Sequence, residues 1–378
     1  MTTYPHPREA ALRQATQKIM QELKPKALAI FHRKPLIDPE YSDVSDIDIT
    51  AIWTQREEQP ERIVVDTHEG RVFIDVLWVP VSKMLNAEEA ASYKTLPHLL
   101  LESEPLYVQT ETVQSIIDNI KQKTYEQTVW EHRIGHQLSF GDAAFEEAKK
   151  NLDFPPAALF FLQTAHANYI VALADSLKQS TMSLLTRPIT KLKQMTANSN
   201  PHLATDMETN LHLDVDPSPS ISALKRIHMA VSQKCAGKQP YGVSNRTLGH
   251  YTYTLSPIET DYRLIFATAL IKNNDLANAN FYLRFWAYSL ARCPAVLHEA
   301  NQSKKPSFYV PIESLKTSID IELPKILDDI KIIMGGEITD QKIQESIKDT
   351  IKFKDQIVNQ IQKSGINIKK EKKEATQD

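Results

Sequence analysis

Short apolar and β-branched runs in the first third of the chain predict the strands of a small mixed sheet. These runs are Ala27–Phe31, Ile47–Trp53, Arg62–Asp66, Arg71–Val79 and Glu104–Val108. Residues 67–70 have the composition of a hairpin turn between the third and fourth runs. Apolar residues at helical spacing predict helices at Ala10–Leu23, at Lys83–Leu101 with an interruption near Pro97, and at Thr110–Lys121.

After residue 124 the hydrophobic pattern is helical, without a comparable strand pattern. The predicted helices are Glu131–Leu152, Pro155–Lys178, Leu184–Met195, Ile221–Ala236, Ile258–Lys272, Leu276–Ala291, Leu323–Met334 and Ile338–Ile361. Residues 198–220 have a loop-like composition. Isoleucines recur along one side of the last helix, which predicts that it docks on the body of the protein, with dimerisation as the alternative.

These patterns predict an α+β protein in four parts. Residues 1–124 form a domain with a small mixed sheet, and residues 125–300 form an all-α helical bundle. Residues 301–365 form a C-terminal helical extension, and the Lys- and Glu-rich residues 366–378 are expected to be disordered.

Composition narrows the class of protein only modestly. The chain has 378 residues, of which 42% are hydrophobic and 24% charged, as in ordinary soluble proteins with two or three domains. The formal net charge of −3 gives no global case for binding nucleic acid or a membrane. Cys235 and Cys293 are too few for a disulfide framework, and no secretory signal is recognised near Met1, so a cytoplasmic location is expected.

Three aspartates carry the candidate chemistry. Asp46 and Asp48 are two residues apart in a strand-like run, so their side chains share one face while Ile47 and Ile49 point into a core. Asp75 is the single charge in an apolar strand. Three carboxylates on neighbouring strands can hold one or two Mg²⁺ ions. The alternative is that Asp75 is satisfied by a backbone or arginine contact.

At these residues the chain resembles the nucleotidyltransferase fold of the polymerase β superfamily. The resemblance rests on Ser45-Asp46-Ile47-Asp48-Ile49, followed about 27 residues later by Ile74-Asp75-Val76. It is closest to the minimal and the antibiotic (kanamycin-type) nucleotidyltransferases. It covers about the first 125 residues well and about 70 more loosely. It implies a triphosphate substrate, Mg²⁺ on the three aspartates, and a helical domain that forms the acceptor side of the cleft.

The chain departs from that family at one position. The family has a Gly-Ser turn after its first strand, whereas this chain has His32-Arg33, and its glycines begin at Gly70. Arg33 can replace the serine as a phosphate ligand, because a guanidinium binds phosphate through two hydrogen bonds. Ser45 and, more weakly, Lys34 are further candidates for contact with the nucleotide.

A second group of cations lies in the helical half. Arg187 and Lys191 are four residues apart and can share a helix face with Lys193 nearby. They are candidates for contact with nucleotide phosphate or an acidic acceptor, and the alternative is a solvated helix end. His132, His136 and His166 lack a matching set of acids or cysteines, so they are interpreted as core or surface residues.

The resulting expectation is Mg²⁺-dependent transfer of a nucleoside monophosphate from ATP, or another triphosphate, to an acceptor hydroxyl of a small molecule. The alternatives are modification of a protein, a catalytically inactive nucleotide-binding module and, least favoured, an RNA acceptor. The general base stays open: Glu131, Asp142, Glu146 and Glu147 begin the helical half, and Asp75 itself can accept the proton if one metal is bound.

Overall fold

A computed structural model describes residues 7–33, 44, 46–55, 59–68, 70–179, 181, 186–302, 316–317 and 323–366. The chain is an α+β protein with one small sheet followed by many helices. The strands are β1 Ala29–Arg33, β2 Ile47–Trp53, β3 Gln59–Thr67, β4 Gly70–Pro80 and β5 Ser103–Val108. The helices are α1 Pro7–Leu23, α2 Ala87–Ser92, α3 Leu96–Leu101, α4 Glu111–Lys123, α5 Gln127–Lys150, α6 Pro155–Ser176, α7 Pro188–Thr196, α8 Leu203–Asn210, α9 Ser218–Cys235, α10 Asn245–Leu255, α11 Pro257–Lys272, α12 Leu276–Asn301, α13 Pro324–Ile333 and α14 Asp340–Lys363.

The five strands form one mixed sheet in the order β3-β4-β2-β1-β5. β2 and β4 are parallel neighbours in the centre, and the remaining pairs are antiparallel. β3 and β4 form the hairpin expected from residues 67–70, with Thr67 paired to Gly70. Gly70 has φ +120°, a conformation that glycine adopts without strain, which suits the tight turn.

The two faces of the sheet are covered differently. Ile47, Ile49 and Ile74 pack in one cluster with residues of α1. Because side chains alternate along a strand, Ile52 and Val79 face the other way, into a cluster with residues of α2, α3 and α4. The acidic positions 46, 48 and 75 have the parity of this second face, so they turn away from α1.

The helical elements build the largest apolar cluster, which also includes Phe73 of β4. Most residues of α6 are buried in it. α6 is long and apolar enough to cross a membrane, but 89% of its most apolar window is buried. That burial is typical of the core helix of a folded protein.

A buried ion pair fixes α5 against α6. The Arg133 guanidinium donates to both Asp175 carboxylate oxygens, at 2.6 and 2.8 Å, and to the Ala91 carbonyl at 2.6 Å. The His98 ring of α3 lies 3.4 Å from the same carboxylate. These contacts tie α2 and α3, beside the sheet, to the helical core.

The last helix docks on the body of the protein, as the isoleucine pattern predicted. The predicted stripe is Ile343, Ile347, Ile351, Val358 and Ile361. Ile343 and Ile361 are fully buried, as is Ile357 outside the stripe, and α14 packs against α6 and α8. Ile351, from the same predicted stripe, is 48% exposed and lies outside this contact. The four-part division of the chain stays a prediction, and residues 367–378, expected to be disordered, lie outside the described residues.

Three local predictions were wrong. His32 and Arg33 were expected in a turn and loop, but they are the last two residues of β1. Residues 198–220 contain α8, and α10 had not been expected. The sequence of α10 contains Gly249 and several threonine and tyrosine residues, which have low helix propensity. It forms because it packs against β3 and α12.

Candidate active site

Four charged side chains stand in one row across the sheet. Asp48 of β2 is paired with Asp75 of β4, and Asp75 is paired with Arg62 of β3. The register of β1 against β2, which pairs His32 with Ile49, puts Arg33 beside Asp48 at the next position. Neighbouring strands are about 4.8 Å apart. The charged row therefore reads Arg33, Asp48, Asp75, Arg62, with the two carboxylates between two guanidinium groups.

Asp46 completes an acid cluster with the two carboxylates of the row. It lies just before β2, two residues from Asp48, and one carboxylate oxygen from each of Asp46, Asp48 and Asp75 lies within 4.8 Å of the others. The three side chains are 14%, 37% and 31% exposed, so the cluster opens to solvent. The sequence prediction that the three aspartates converge is in accord with this geometry.

Arg62 lies against the acid cluster from the β3 side. Its side chain is only 1% exposed, and Nη1 forms a short hydrogen bond to Asp46 Oδ2. Nη2 lies 3.7 Å from Asp75 Oδ2. On the other side of the cluster, Arg33 Nη1 lies 3.2 Å from Asp48 Oδ2. The arginine contact considered as an alternative for Asp75 thus exists together with the acid cluster.

Helices α10 and α11 contribute polar side chains that contact the charged row. Glu259, fully buried near the start of α11, accepts a 2.7 Å hydrogen bond from Arg62 Nε. It also accepts from Arg263 Nε, one turn further along α11. The Tyr253 hydroxyl of α10 accepts from both arginines at 3.1 Å and donates to Asp75 Oδ1 at 3.4 Å. The helical half is therefore in direct contact with the charged row.

The charges in the site do not cancel. Among the described residues, three guanidinium groups face four carboxylates, which leaves one negative charge in excess when all are ionised. The cations are Arg33, Arg62 and Arg263, and the anions are Asp46, Asp48, Asp75 and Glu259.

The three aspartates differ in pKa because their partners differ. Burial tends to raise the pKa of Asp46, but the charge and hydrogen bond of Arg62 outweigh it and lower that pKa. Burial, followed by repulsion from Asp46, raises the pKa of Asp48 to about 6. Burial, opposed by Arg62 but assisted by Glu259, raises the pKa of Asp75 to about 7. Near neutral pH, ionisation of Asp48 and Asp75 is thus less favourable than ionisation of an ordinary aspartate.

This donor set suits a divalent cation. All the converging atoms are carboxylate oxygens, which are the ligands that Mg²⁺ prefers. Burial and the neighbouring carboxylates raise the pKa values of Asp48 and Asp75 despite the adjacent arginines, so these carboxylates would gain from further positive charge. A divalent ion at this point would supply the missing positive charge.

Arg187 and Lys191 lie at the start of α7, in the helical half. Arg187 precedes α7, and its Nε donates to Asp275 Oδ2 at 2.9 Å. Its Nη2 lies 3.5 Å from Thr190 Oγ1. Lys191 closes the first turn of α7, where its backbone N–H donates to the Arg187 carbonyl at 3.1 Å. Contact of these two residues with a nucleotide stays a prediction. Ser45 and Lys34 lie outside the described residues.

Of the acids considered as general bases, Glu146 and Glu147 make local contacts along α5, whereas Asp142 contacts α6 and α14, where Lys354 Nζ lies 2.5 Å from its Oδ1. Glu146 and Glu147 each pair at 2.8 Å with a lysine three residues later. Asp142 accepts a 2.9 Å hydrogen bond from the Tyr169 hydroxyl. His166 is fully buried, with Nδ1 2.9 Å from the Leu162 carbonyl, so it is a core residue as predicted.

The sequence interpretation missed Arg62, Glu259, Arg263 and Tyr253. Only Arg62 had a usable signal, since a hairpin that pairs Thr67 with Gly70 puts residue 62 opposite residue 75. Glu259 and Arg263 look in the sequence like an ordinary surface pair four residues apart on a helix.

Comparison with known proteins adds little to this geometry. No protein-family model and no curated protein matches the sequence. Among solved structures, the chain is similar to a nucleotidyltransferase-like protein from Exiguobacterium sibiricum. The two chains are 11% identical, the match covers 83% of this chain and 89% of the other, and the TM-score is 0.26. A likeness this distant carries no argument about fold or activity, so a functional assignment depends on the site itself.

Proposed function

We propose that the protein is a divalent-metal-dependent nucleotidyltransferase that moves a nucleoside monophosphate from ATP, or another nucleoside triphosphate, to an acceptor hydroxyl. The observation that carries the proposal is the acid cluster: one oxygen from each of Asp46, Asp48 and Asp75 lies within 4.8 Å of the others. The flanking guanidinium groups of Arg33 and Arg62 add cations where phosphate charge would gather. Carboxylates for a metal, together with arginines for phosphate, are the parts that phosphoryl transfer requires.

In the proposed reaction the acceptor oxygen attacks the α-phosphorus in line. A new oxygen–phosphorus bond forms, the bond to the bridging oxygen breaks, and pyrophosphate leaves. Asp46, Asp48 and Asp75 would hold the Mg²⁺, which when bound polarises the phosphoryl oxygens. If one metal ion is bound, Asp75 itself would accept the hydroxyl proton. Arg33 would stabilise the charge of the triphosphate beside Asp48.

An open cleft that Phe73 of β4 lines, although none of the three aspartates lines it, would provide room for a small-molecule acceptor. Its volume is about 510 Å³, within the range of small-molecule sites. Phe73 lines it, two residues before Asp75 on the same face of β4. The other lining residues combine apolar and charged side chains: Val44, Arg71, Lys225, Asp261, Leu264 and Ile265. We propose a small organic molecule of this size as the acceptor.

Turnover with a labelled triphosphate tests the proposal. The protein is incubated with Mg²⁺, α-labelled ATP and candidate acceptor alcohols, and pyrophosphate release and product mass are measured. Asp48→Asn, which removes a metal ligand at nearly constant volume, is expected to lower turnover at least a hundredfold. Asp66→Asn is the matched control, because Asp66 is 84% exposed at the end of β3. Wild-type protein that releases no pyrophosphate from any of the four common triphosphates would contradict the proposal.

Arg33 provides a separate test of triphosphate binding. Charge-assisted hydrogen bonds are worth about 1.5–3 kcal/mol, so Arg33→Ala is expected to weaken Mg²⁺-ATP binding roughly ten- to a hundredfold in calorimetry. The control is Arg13→Ala, since Arg13 is exposed on α1, behind the other face of the sheet. Unchanged affinity in Arg33→Ala would show that the triphosphate does not use the charged row. Binding without turnover would favour the inactive nucleotide-binding module.

A further inference from the structure

Arg62 already supplies part of the positive charge that a metal ion would bring to the acid cluster. Its Nη1 donates to Asp46 Oδ2, and its Nη2 lies 3.7 Å from Asp75 Oδ2. A guanidinium stays protonated at any ordinary pH and has no acceptor atom. It is therefore a permanent positive charge on two of the three candidate metal ligands.

The other side of the same guanidinium is held by the helical half. Arg62 Nε donates to Glu259 Oε2 at 2.7 Å, and both side chains are only 1% exposed. The Tyr262 ring lies beneath the guanidinium, with its centroid 4.3 Å from the Arg62 Cζ atom. Arg62 is thus shared between an acid of the helical half and two acids of the acid cluster.

We infer that Arg62 is a resident cation that competes with the divalent ion for Asp46 and Asp75, and that Glu259 limits this competition by holding the guanidinium toward α11. The inference rests on the proposed function, because it concerns the metal affinity of the same acid cluster. Arg62 and Glu259 are positioning residues here. The packing of α11 against the sheet then sets how readily the acid cluster takes a metal.

This arrangement predicts opposite effects from two substitutions that break the same ion pair. Removing the cation by Arg62→Met leaves the acid cluster with more uncompensated negative charge, so the metal should bind more tightly. Removing the anion by Glu259→Gln leaves the guanidinium with Asp46 and Asp75 as its carboxylate partners, so the metal should bind more weakly. A merely structural ion pair would disturb the site in the same direction whichever partner was lost.

The experiment is titration of the full-length protein with Mn²⁺ alone at pH 8, followed by calorimetry and by the electron paramagnetic resonance of free Mn²⁺. We expect Kd to fall roughly tenfold in Arg62→Met and to rise roughly tenfold in Glu259→Gln, since one charge-assisted contact is worth about one power of ten. Arg13→Met, with the same charge change on the far face of the sheet, should stay within about twofold.

Circular dichroism and urea unfolding establish that each variant is folded. If Arg62→Met does not fold, Arg62→Gln replaces it, because its amide can still donate to Glu259 while the charge is gone. Tighter Mn²⁺ binding without the cation, together with weaker binding in Glu259→Gln, supports the inference. Equal or weaker binding without the cation overturns it and leaves the metal-dependent function standing. If neither the wild type nor the Arg62 variants bind Mn²⁺, both the inference and the proposed function fail.

Discussion

Asp75→Asn is expected to stabilise the protein while removing a metal ligand. Asp75 carries its charge in an unfavourable environment, since its pKa is raised from 3.8 to about 7. At ~1.4 kcal/mol per pKa unit, that difference corresponds to at most ~4 kcal/mol of stability lost at high pH. The asparagine has nearly the same shape and bears no charge, so it avoids this loss.

The expected net gain is smaller than that limit, for two structural reasons. The side chain is 31% exposed, so solvent screens part of the penalty. In addition, Arg62 loses one carboxylate neighbour, although it keeps Asp46 and Glu259. Together these effects reduce the expected gain in the free energy of unfolding to ~1–2 kcal/mol at pH 8.

The sign of the pH dependence follows from the raised pKa. Above pH 7 the carboxyl is ionised in both the folded and the unfolded chain, and the folded state bears the full penalty. As the pH falls from 7 toward 4, the folded state takes up the proton first, so this contribution to wild-type stability improves. The advantage of Asp75→Asn over the wild type should therefore shrink to less than half at pH 5.

Urea unfolding at pH 8 and pH 5, without divalent ions, measures this difference. The control is Asp66→Asn at the exposed end of β3, which should show no such pH dependence. Adding Mg²⁺ should raise the stability of the wild type and leave Asp75→Asn unchanged, because a ligand stabilises only the state that binds it. A variant less stable than the wild type at pH 8 would refute the reasoning and identify Asp75 as a satisfied partner of Arg62.

Two further predictions concern the helical core. A Cβ on Gly141 would lie 2.3 Å from Cε1 of the Tyr169 ring, so Gly141→Ala is expected to lower the free energy of unfolding by ~1–3 kcal/mol. Gly135 lies on the same helix with open space around it, so Gly135→Ala should raise the free energy of unfolding by ~0.5–1 kcal/mol. Urea unfolding measures both changes. Burial lowers the pKa of His166 to about 4, so the unfolded chain takes up its proton first and wild-type stability should fall by up to ~2 kcal/mol between pH 6.5 and pH 5. The free energy of unfolding of His166→Gln, measured with urea, should lack that part of the pH dependence. A pH dependence equal to that of the wild type would contradict the prediction.

The sheet could be predicted from the sequence because its strands carry strong local patterns. Val72 to Val79 is apolar at every position except Asp75, and the structure places this run within β4. The prediction failed where packing overrides local preference. α10 has a weak helical sequence, yet it forms against β3 and brings Tyr253 to Asp75. His32 and Arg33 resembled the start of a loop, but pairing with both β2 and β5 extends β1 through them.

The acid cluster could be predicted, but its surroundings could not. Two aspartates at spacing two, and a third in an apolar strand, specify one face without any knowledge of the fold. Glu259 is more than a hundred residues away and reaches the site only because α11 packs against β3. No local pattern distinguishes its pair with Arg263 from a solvated pair on a helix.

The alternation that builds the core also fixes the site. Ile47 and Ile49 must face α1 to be buried, so Asp46 and Asp48 are forced onto the opposite face. A shift of β2 by one residue against β4 would expose both isoleucines, and it would bury the aspartates under α1. The register that aligns Arg33, Asp48, Asp75 and Arg62 is therefore held by hydrophobic burial on the other side of the same strands. Substitutions in the charged row can change its chemistry without releasing the strands that position it.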